Sequence, residues 1–161
     1  MKIRKATIND LEELTKIEAE CFPATEAATE ESFRGRLEVY PDFFWILENE
    51  NGKIISFVNG MATNDRILTD EMFENPNLHD ENGDWQMIFG VNTLPEFRRR
   101  GYAEKVLRKV VEDAKSAGRK GVVLTCKDRL VPFYEKIGFV NEGLSESTHW
   151  GAVWYNMRII F

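Results

Sequence analysis

Residues 91–107 read VNTLPEFRRRGYAEKVL. An apolar strand ends, a loop with three consecutive arginines follows, and Gly101 opens a helix. Ala103, Val106, Leu107, Val110, Val111 and Ala114 recur on one helical face, and Gly118 closes it. A helix start after a glycine offers several backbone N–H groups without intrahelical partners, and the helix dipole adds partial positive charge there. Gly101 permits close backbone approach, Ala103 keeps the first turn uncluttered, and Arg98, Arg99 and Arg100 supply cations. A pyrophosphate fits such a place. On this segment alone, a solvated basic turn before an ordinary helix is an equally good reading. The GxxxxGK[ST] loop and the GxGxxG fingerprint are both absent.

Outward from this segment, helices and strands alternate along the chain. Ile3 to Ala6 reads as a strand, and Thr7 with Asp10 as the start of a helix over 8–21 whose apolar positions are Leu11, Leu14, Ile17 and Cys21. Thr29 opens a second helix that stops before Pro41. Phe43 to Leu47 and Ile54 to Ala62 form a hairpin about Asn51-Gly52. Thr63 to Asp84 is a polar stretch with a helical turn near 68–73. Trp85 to Val91 reads as one central strand, Val122 to Cys126 as another. Leu130 to Ile137 is a short helix, Phe139 and Val140 begin a strand, and Trp150 to Phe161 alternates as the last. The expected fold class is α+β, a three-layer α/β/α arrangement about a central mixed sheet, in a single domain over residues 1–161.

Composition narrows the function. The chain has 161 residues, 43% hydrophobic and 30% charged, with net charge −6. An acidic chain without a basic face is a poor nucleic-acid binder. Two cysteines, Cys21 and Cys126, and two histidines, His79 and His149, lack metal-ligand spacing, so no metal is expected. The first residues are too polar for a signal peptide, and no run approaches the roughly 20 apolar residues of a membrane span. The expected location is cytoplasmic, without membrane association.

Arg98-Arg99-Arg100-Gly101-Tyr102-Ala103 resembles the R/Q-x-x-G-x-G/A signature of the GNAT N-acetyltransferases. Leu130 to Phe139, LVPFYEKIGF, resembles that family's C-terminal element. The order of elements is similar over essentially the whole chain. Those two segments, with Cys126 and the stretch Glu20 to Leu37, look closest to the arylalkylamine (serotonin) N-acetyltransferase branch. The resemblance implies acetyl-CoA as cosubstrate and a primary amine, a small molecule, as acceptor in a ternary complex. It implies that backbone amides from Arg98 to Ala103 hold the CoA pyrophosphate, that Phe89 and Val91 pair with the pantetheine arm beside a bulge near Gly90, and that Val91 donates to the thioester oxygen. Asp128 and Phe133 would lie by the cofactor, with Asp128 standing where the branch often carries Asn. Tyr134 would be the general acid that protonates the leaving thiolate. Homodimers formed through the late strands are common in the family.

One departure is plain. The branch's two histidines correspond here to Met87 and Phe89, so the base does not carry over. A water chain is the substitute, with His79, Asp84, Glu26 and His149 as conceivable helpers. The acceptor side is expected along 22–33, 65–73 and 147–154, where Phe22, Phe33, Trp150 and Trp154 gather, although for most of these rings core packing is the better reading than direct contact. Two further readings stay open: acetylation of a protein N-terminus or lysine, and a CoA-binding sensor without catalysis.

Overall fold

The computed structural model describes residues 1–147 and 151–161. In chain order the elements are β1 (Lys2–Lys5), α1 (Leu11–Cys21), α2 (Glu30–Val39), β2 (Phe44–Glu48), β3 (Ile54–Asn59), β4 (Ala62–Thr63), α3 (Asp70–Glu74), β5 (Trp85–Met87), β6 (Gly90–Thr93), α4 (Tyr102–Ser116), β7 (Gly121–Cys126), α5 (Val131–Ile137), β8 (Val140–Leu144) and β9 (Tyr155–Ile160). They form two compact units. Met1–Gly60 and Gly90–Val110 make the first; Met61–Phe89 and Val111–Phe161 make the second.

The first unit holds an antiparallel sheet of order β1-β2-β3-β6. The expected hairpin is present: Asn49 Oδ1 accepts from the N–H groups of Asn51 and Lys53, both at 3.0 Å. Helix α1 begins after a 3-10 turn over Ile8–Asp10 and buries Leu11, Leu14 and Ile17. Thr29 caps α2, its Oγ1 accepting from Ser32 N–H at 3.1 Å. Phe33, Phe44 and Phe57 are fully buried in this core, with the Phe33 ring edge-on to Phe44 at 5.6 Å and to Phe57 at 6.0 Å. Phe33 is therefore a core residue and does not line an acceptor site.

The second unit holds a mixed sheet of order β4-β5-β7-β9-β8, with β5 and β7 parallel and the other pairs antiparallel. Gly121 is fixed by packing: a methyl group added there would lie 1.9 Å from the Ile159 carbonyl. The C-terminus of α4 closes on Gly118 at φ +79°, with Arg119 N–H reaching back to Ala114 at 3.1 Å.

Two expected strands are each interrupted. The run 54–62 breaks at Gly60-Met61. Gly60 N–H still donates to Phe43 at 3.2 Å, whereas Met61 accepts from Met87 N–H at 2.7 Å. The run 85–91 breaks after Met87. Met87 and Ile88 bond to Met61 and Val123, and Gly90 and Val91 then pair with Asn59 and Val58. The apolar pattern continues through both breaks because all these side chains are in packed surroundings, so periodicity alone gave no sign of the change in hydrogen-bond partner. Trp150, where the last strand is expected to begin, lies outside the described residues; β9 starts at Tyr155.

Strand β1 is tied to the first helical segment by an ion pair. Arg4 grips Asp10 with two hydrogen bonds of 2.9 and 2.8 Å, and Thr7 N–H adds a third at 2.8 Å. Burial pushes the Asp10 carboxyl up, but Arg4 and Thr7 together hold it below its ordinary value. A carboxylate with a depressed folded-state pKa contributes stability above its unfolded pKa and loses it as pH falls through the folded value. Replacing Asp10 with Asn should cost about 1–3 kcal/mol at pH 7. Urea unfolding should show the gap to wild type narrowing below about pH 4.

Candidate active site

The loop ahead of α4 has an unusual backbone. A 3-10 turn spans Pro95–Phe97, Arg99 adopts φ +64° and Gly101 φ +79°. A left-handed arginine is strained by about 1–2 kcal/mol, and such strain gathers at functional sites. Lys105 N–H makes the first bond of the helix, to Gly101 at 3.0 Å. Among the described residues, the N–H groups of Arg99, Arg100, Gly101, Tyr102 and Ala103 donate to no protein acceptor. Five free donors sit at a helix start where all three arginines are exposed. Arg98 is tied back, its Nε donating to the Thr93 carbonyl at 3.0 Å. Arg100 leans over the Phe97 ring at 5.6 Å. The arrangement suits a multiply charged anion.

Strand β6 is the outermost of its sheet. Leu94 N–H donates to Ile55 on β3, and backbone groups alternate sides along a strand. Asn92 therefore faces β3, while Val91 and Thr93 face the open edge. The Thr93 carbonyl points there, accepting from Cys21 Sγ at 3.3 Å and from Arg98. Among the described residues the Val91 amide has no protein partner, and it can pair with an extended ligand carrying amide groups.

The second unit carries Tyr134 on α5. Its ring is buried edge-on to Phe133 at 5.1 Å and Phe139 at 5.8 Å. Among the described residues nothing hydrogen-bonds its hydroxyl. Burial, and secondarily the negative charge Cys126 would carry as a thiolate, hold the phenol above its ordinary value. A phenol so placed stays protonated and is a proton donor. Cys126 ends β7, buried, its thiol raised to about 11 by burial and then by Asp128 and Glu135. Asp128 is exposed in a 3-10 turn, Asp128–Leu130, and Phe133 is half-buried. Phe89 stacks at a tilt on Phe73, 4.6 Å between centroids. Met87 is fully buried.

The conceivable bases are mostly occupied elsewhere. His79 Nδ1 accepts from Ala62 N–H, and its Nε2 meets Glu81, both at 3.1 Å. Burial holds that imidazole below its ordinary pKa, with Glu81 opposing. It anchors the 62–84 segment. Asp84 pairs on the surface with Lys120 at 3.3 Å. Glu26 lies between the first two helices, its N–H bonded to Pro23 at 2.8 Å. His149 and Trp150 lie outside the described residues.

A buried polar cluster in the first unit escaped the sequence reading. Glu18 Oε1 accepts from Asn92 Nδ2 at 2.8 Å, and Oε2 from Ala28 N–H at 2.9 Å. Arg36 donates to Asn59 Oδ1 at 2.7 Å. All four side chains are buried. Burial pushes the Glu18 carboxyl up, against the hydrogen bonds from Ala28 and Asn92. The signal was available: Glu18 falls on the stripe of Leu11 and Leu14, and Arg36 stands three residues after Phe33, so both charges lie on apolar helix faces.

Comparison with known proteins bears on the same residues. The Acetyltransferase (GNAT) family model matches residues 11–139. This chain belongs to the GNAT acetyltransferase family, and its fold is the GNAT fold. Rice glucosamine 6-phosphate N-acetyltransferase 1 (Oryza sativa subsp. japonica) is 40% identical over 47 residues, which is 29% of this chain and 28% of the relative. Only about a quarter of that curated relative is thus matched. Among solved structures, the loading GNATL domain of CurA from Lyngbya majuscula superposes with a TM-score of 0.85 at 20% identity, covering 99% of this chain and 96% of that one. The GphF GNAT-like decarboxylase, solved with isobutyryl-CoA, gives 0.78 at 21% identity, covering 99% of each chain.

The left-handed turn at Gly101 yields a direct check. A methyl group there meets nothing within 4 Å, so Gly101→Ala should cost only the backbone term, about 1–2 kcal/mol in urea unfolding. The same variant should weaken binding of CoA in calorimetry, because the turn sets the direction of the free amides.

Proposed function

We propose that this protein transfers an acetyl group from acetyl-CoA to a primary amine of a small molecule. The observation that carries the reading lies in the first unit. Free amides at the start of α4 and the open edge of β6 suit the two ends of one ligand, a pyrophosphate and an amide-bearing arm. The residues from Arg98 to Ala103 take the pyrophosphate. Phe89 and Val91 pair with the pantetheine arm, and the Val91 N–H donates to the thioester oxygen as charge develops on it. Asp128 and Phe133 border the cofactor. The amine lone pair attacks the carbonyl carbon, the C–S bond breaks, and Tyr134 gives its phenolic proton to the departing sulfur. The proton lost by the amine leaves through water, and a proton returned from water restores the Tyr134 phenol.

Residues 1–161 act as one acetyltransferase domain in this reading. In support, the family model runs through both compact units. Support for an amine acceptor comes from the rice relative, whose name states an amino-sugar phosphate. The likeness of LVPFYEKIGF to the arylalkylamine branch makes aromatic amines the second class to test.

A thiol-release assay with acetyl-CoA against amino sugars, arylalkylamines, polyamines and short peptides should find turnover with one small-amine class. Turnover confined to peptides, or CoA binding without turnover, would overturn the proposal. Tyr134→Phe should lower kcat by about 100-fold or more while leaving KM for acetyl-CoA within a few-fold. Because the phenol is held above its ordinary value, no loss of kcat assignable to its ionisation should appear below about pH 10.

A further inference from the structure

Two buried asparagines on the α1–α2 face of the first sheet have their amide orientations dictated by charge. A carboxylate only accepts hydrogen bonds, so Glu18 draws the amino group of Asn92, at 2.8 Å. A guanidinium only donates, so Arg36 draws the carbonyl of Asn59, at 2.7 Å. The remaining ends follow by elimination: Asn92 presents Oδ1 and Asn59 presents Nδ2. Each residue is 1% exposed. Among the described residues, Asn92 Oδ1 is buried with no hydrogen-bond partner, and no acceptor takes the Nδ2 protons of Asn59.

These two ends converge beside Gly90, which pairs with Asn59 across the ladder. Beyond its chain neighbours, and among the described residues, a methyl group built on Gly90 would meet two atoms within 4 Å: Asn92 Oδ1 at 3.3 Å and Asn59 Nδ2 at 3.5 Å. Gly90, which lies over this space, is half-exposed, whereas Asn92 Oδ1 is itself buried. The space contains one unsatisfied acceptor and one unsatisfied donor, and leaving them unpaired costs about 1–3 kcal/mol each.

We propose that this niche is a subsite for a single hydroxyl-type oxygen, which accepts from Asn59 Nδ2 and donates to Asn92 Oδ1. Water fills it in the free protein. A hydroxyl close to the nucleophilic amine of an acceptor replaces that water, a step that rests on the acetyltransferase reading. The niche adjoins Val91, whose amide faces the open edge, so the acceptor class it selects is the amino alcohol. Glu18 and Arg36 are positioning residues: they fix which asparagine donates and which accepts.

The first test does not depend on activity. A crystal structure of the unliganded wild-type protein, fine enough to show ordered water, should place an oxygen within hydrogen-bond distance of both side chains. In Gly90→Ala that oxygen should be gone and the fold unchanged. An empty niche in wild type would overturn the proposal. The second test compares 2-aminoethanol with propylamine, which differ by hydroxyl against methyl. Wild type should favour the amino alcohol by about tenfold in kcat/KM, and Gly90→Ala should bring the ratio near one. A ratio equal in both proteins, with the crystallographic oxygen present, would assign the occupant to solvent alone and remove the acceptor from the niche. Glu18→Gln supplies an independent variant. The glutamine must turn its carbonyl to Ala28 N–H and its amino group to Asn92, which flips Asn92 and leaves two donors facing Gly90. The preference for 2-aminoethanol should then fall although Gly90 is intact; its persistence would refute the role given to Glu18. Absence of turnover with every amine would sink the functional reading and leave the crystallographic test standing.

Discussion

A strand hydrogen-bonded on both edges has no amide left to offer a ligand, and this chain changes ladder partners between Met87 and Gly90. Met87 and Ile88 are committed to Met61 and Val123. From Gly90 onward the chain pairs with β3 alone, on one side. The other edge of β6 is thereby left with outward-facing backbone groups. Water or a ligand must satisfy them, since an amide left dry would be costly. Gly90, at the point of change, carries no side chain to cover what lies behind it. The exposed edge of β6 and the niche beside Gly90 both follow from this switch.

Behind that strand the protein keeps two charges out of water. Burying Glu18 and Arg36 costs more than their distant attraction returns, so the arrangement is a poor device for stability alone. Its effect is directional. Each charge dictates the rotation of one asparagine amide, and a pair of otherwise ambiguous groups becomes a fixed donor and a fixed acceptor. Glu18 also holds Ala28, and with it the connection between α1 and α2, to the same strand.

Much of the fold was legible because it rests on local rules. Helix α4, with its apolar stripe and a glycine at each end, and the Asn51-Gly52 hairpin came directly from spacing and turn chemistry. The interruptions at Gly60 and at Ile88-Phe89 did not, because they are changes of hydrogen-bond partner inside runs that stay predominantly apolar. The arginine loop was readable as a candidate anion site, yet its left-handed Arg99 was not, since nothing about arginine announces φ +64°. Glu18 passed unremarked, although its position on the apolar stripe of the first helix marked it. For His79 an ordinary surface position was the better expectation, whereas its side chain is buried and its ring accepts from Ala62 N–H.

A protein that handles thioesters faces a hazard from its own sulfur, since a thiolate can capture an acyl group or be oxidised. Burial pushes the Cys21 thiol above its ordinary value despite Arg98 nearby, and takes Cys126 to about 11 with help from Asp128 and Glu135. Both sulfurs therefore rest as thiols at neutral pH. Desolvation acts the same way on the Tyr134 phenol and on both thiols, holding each in its protonated, less nucleophilic form.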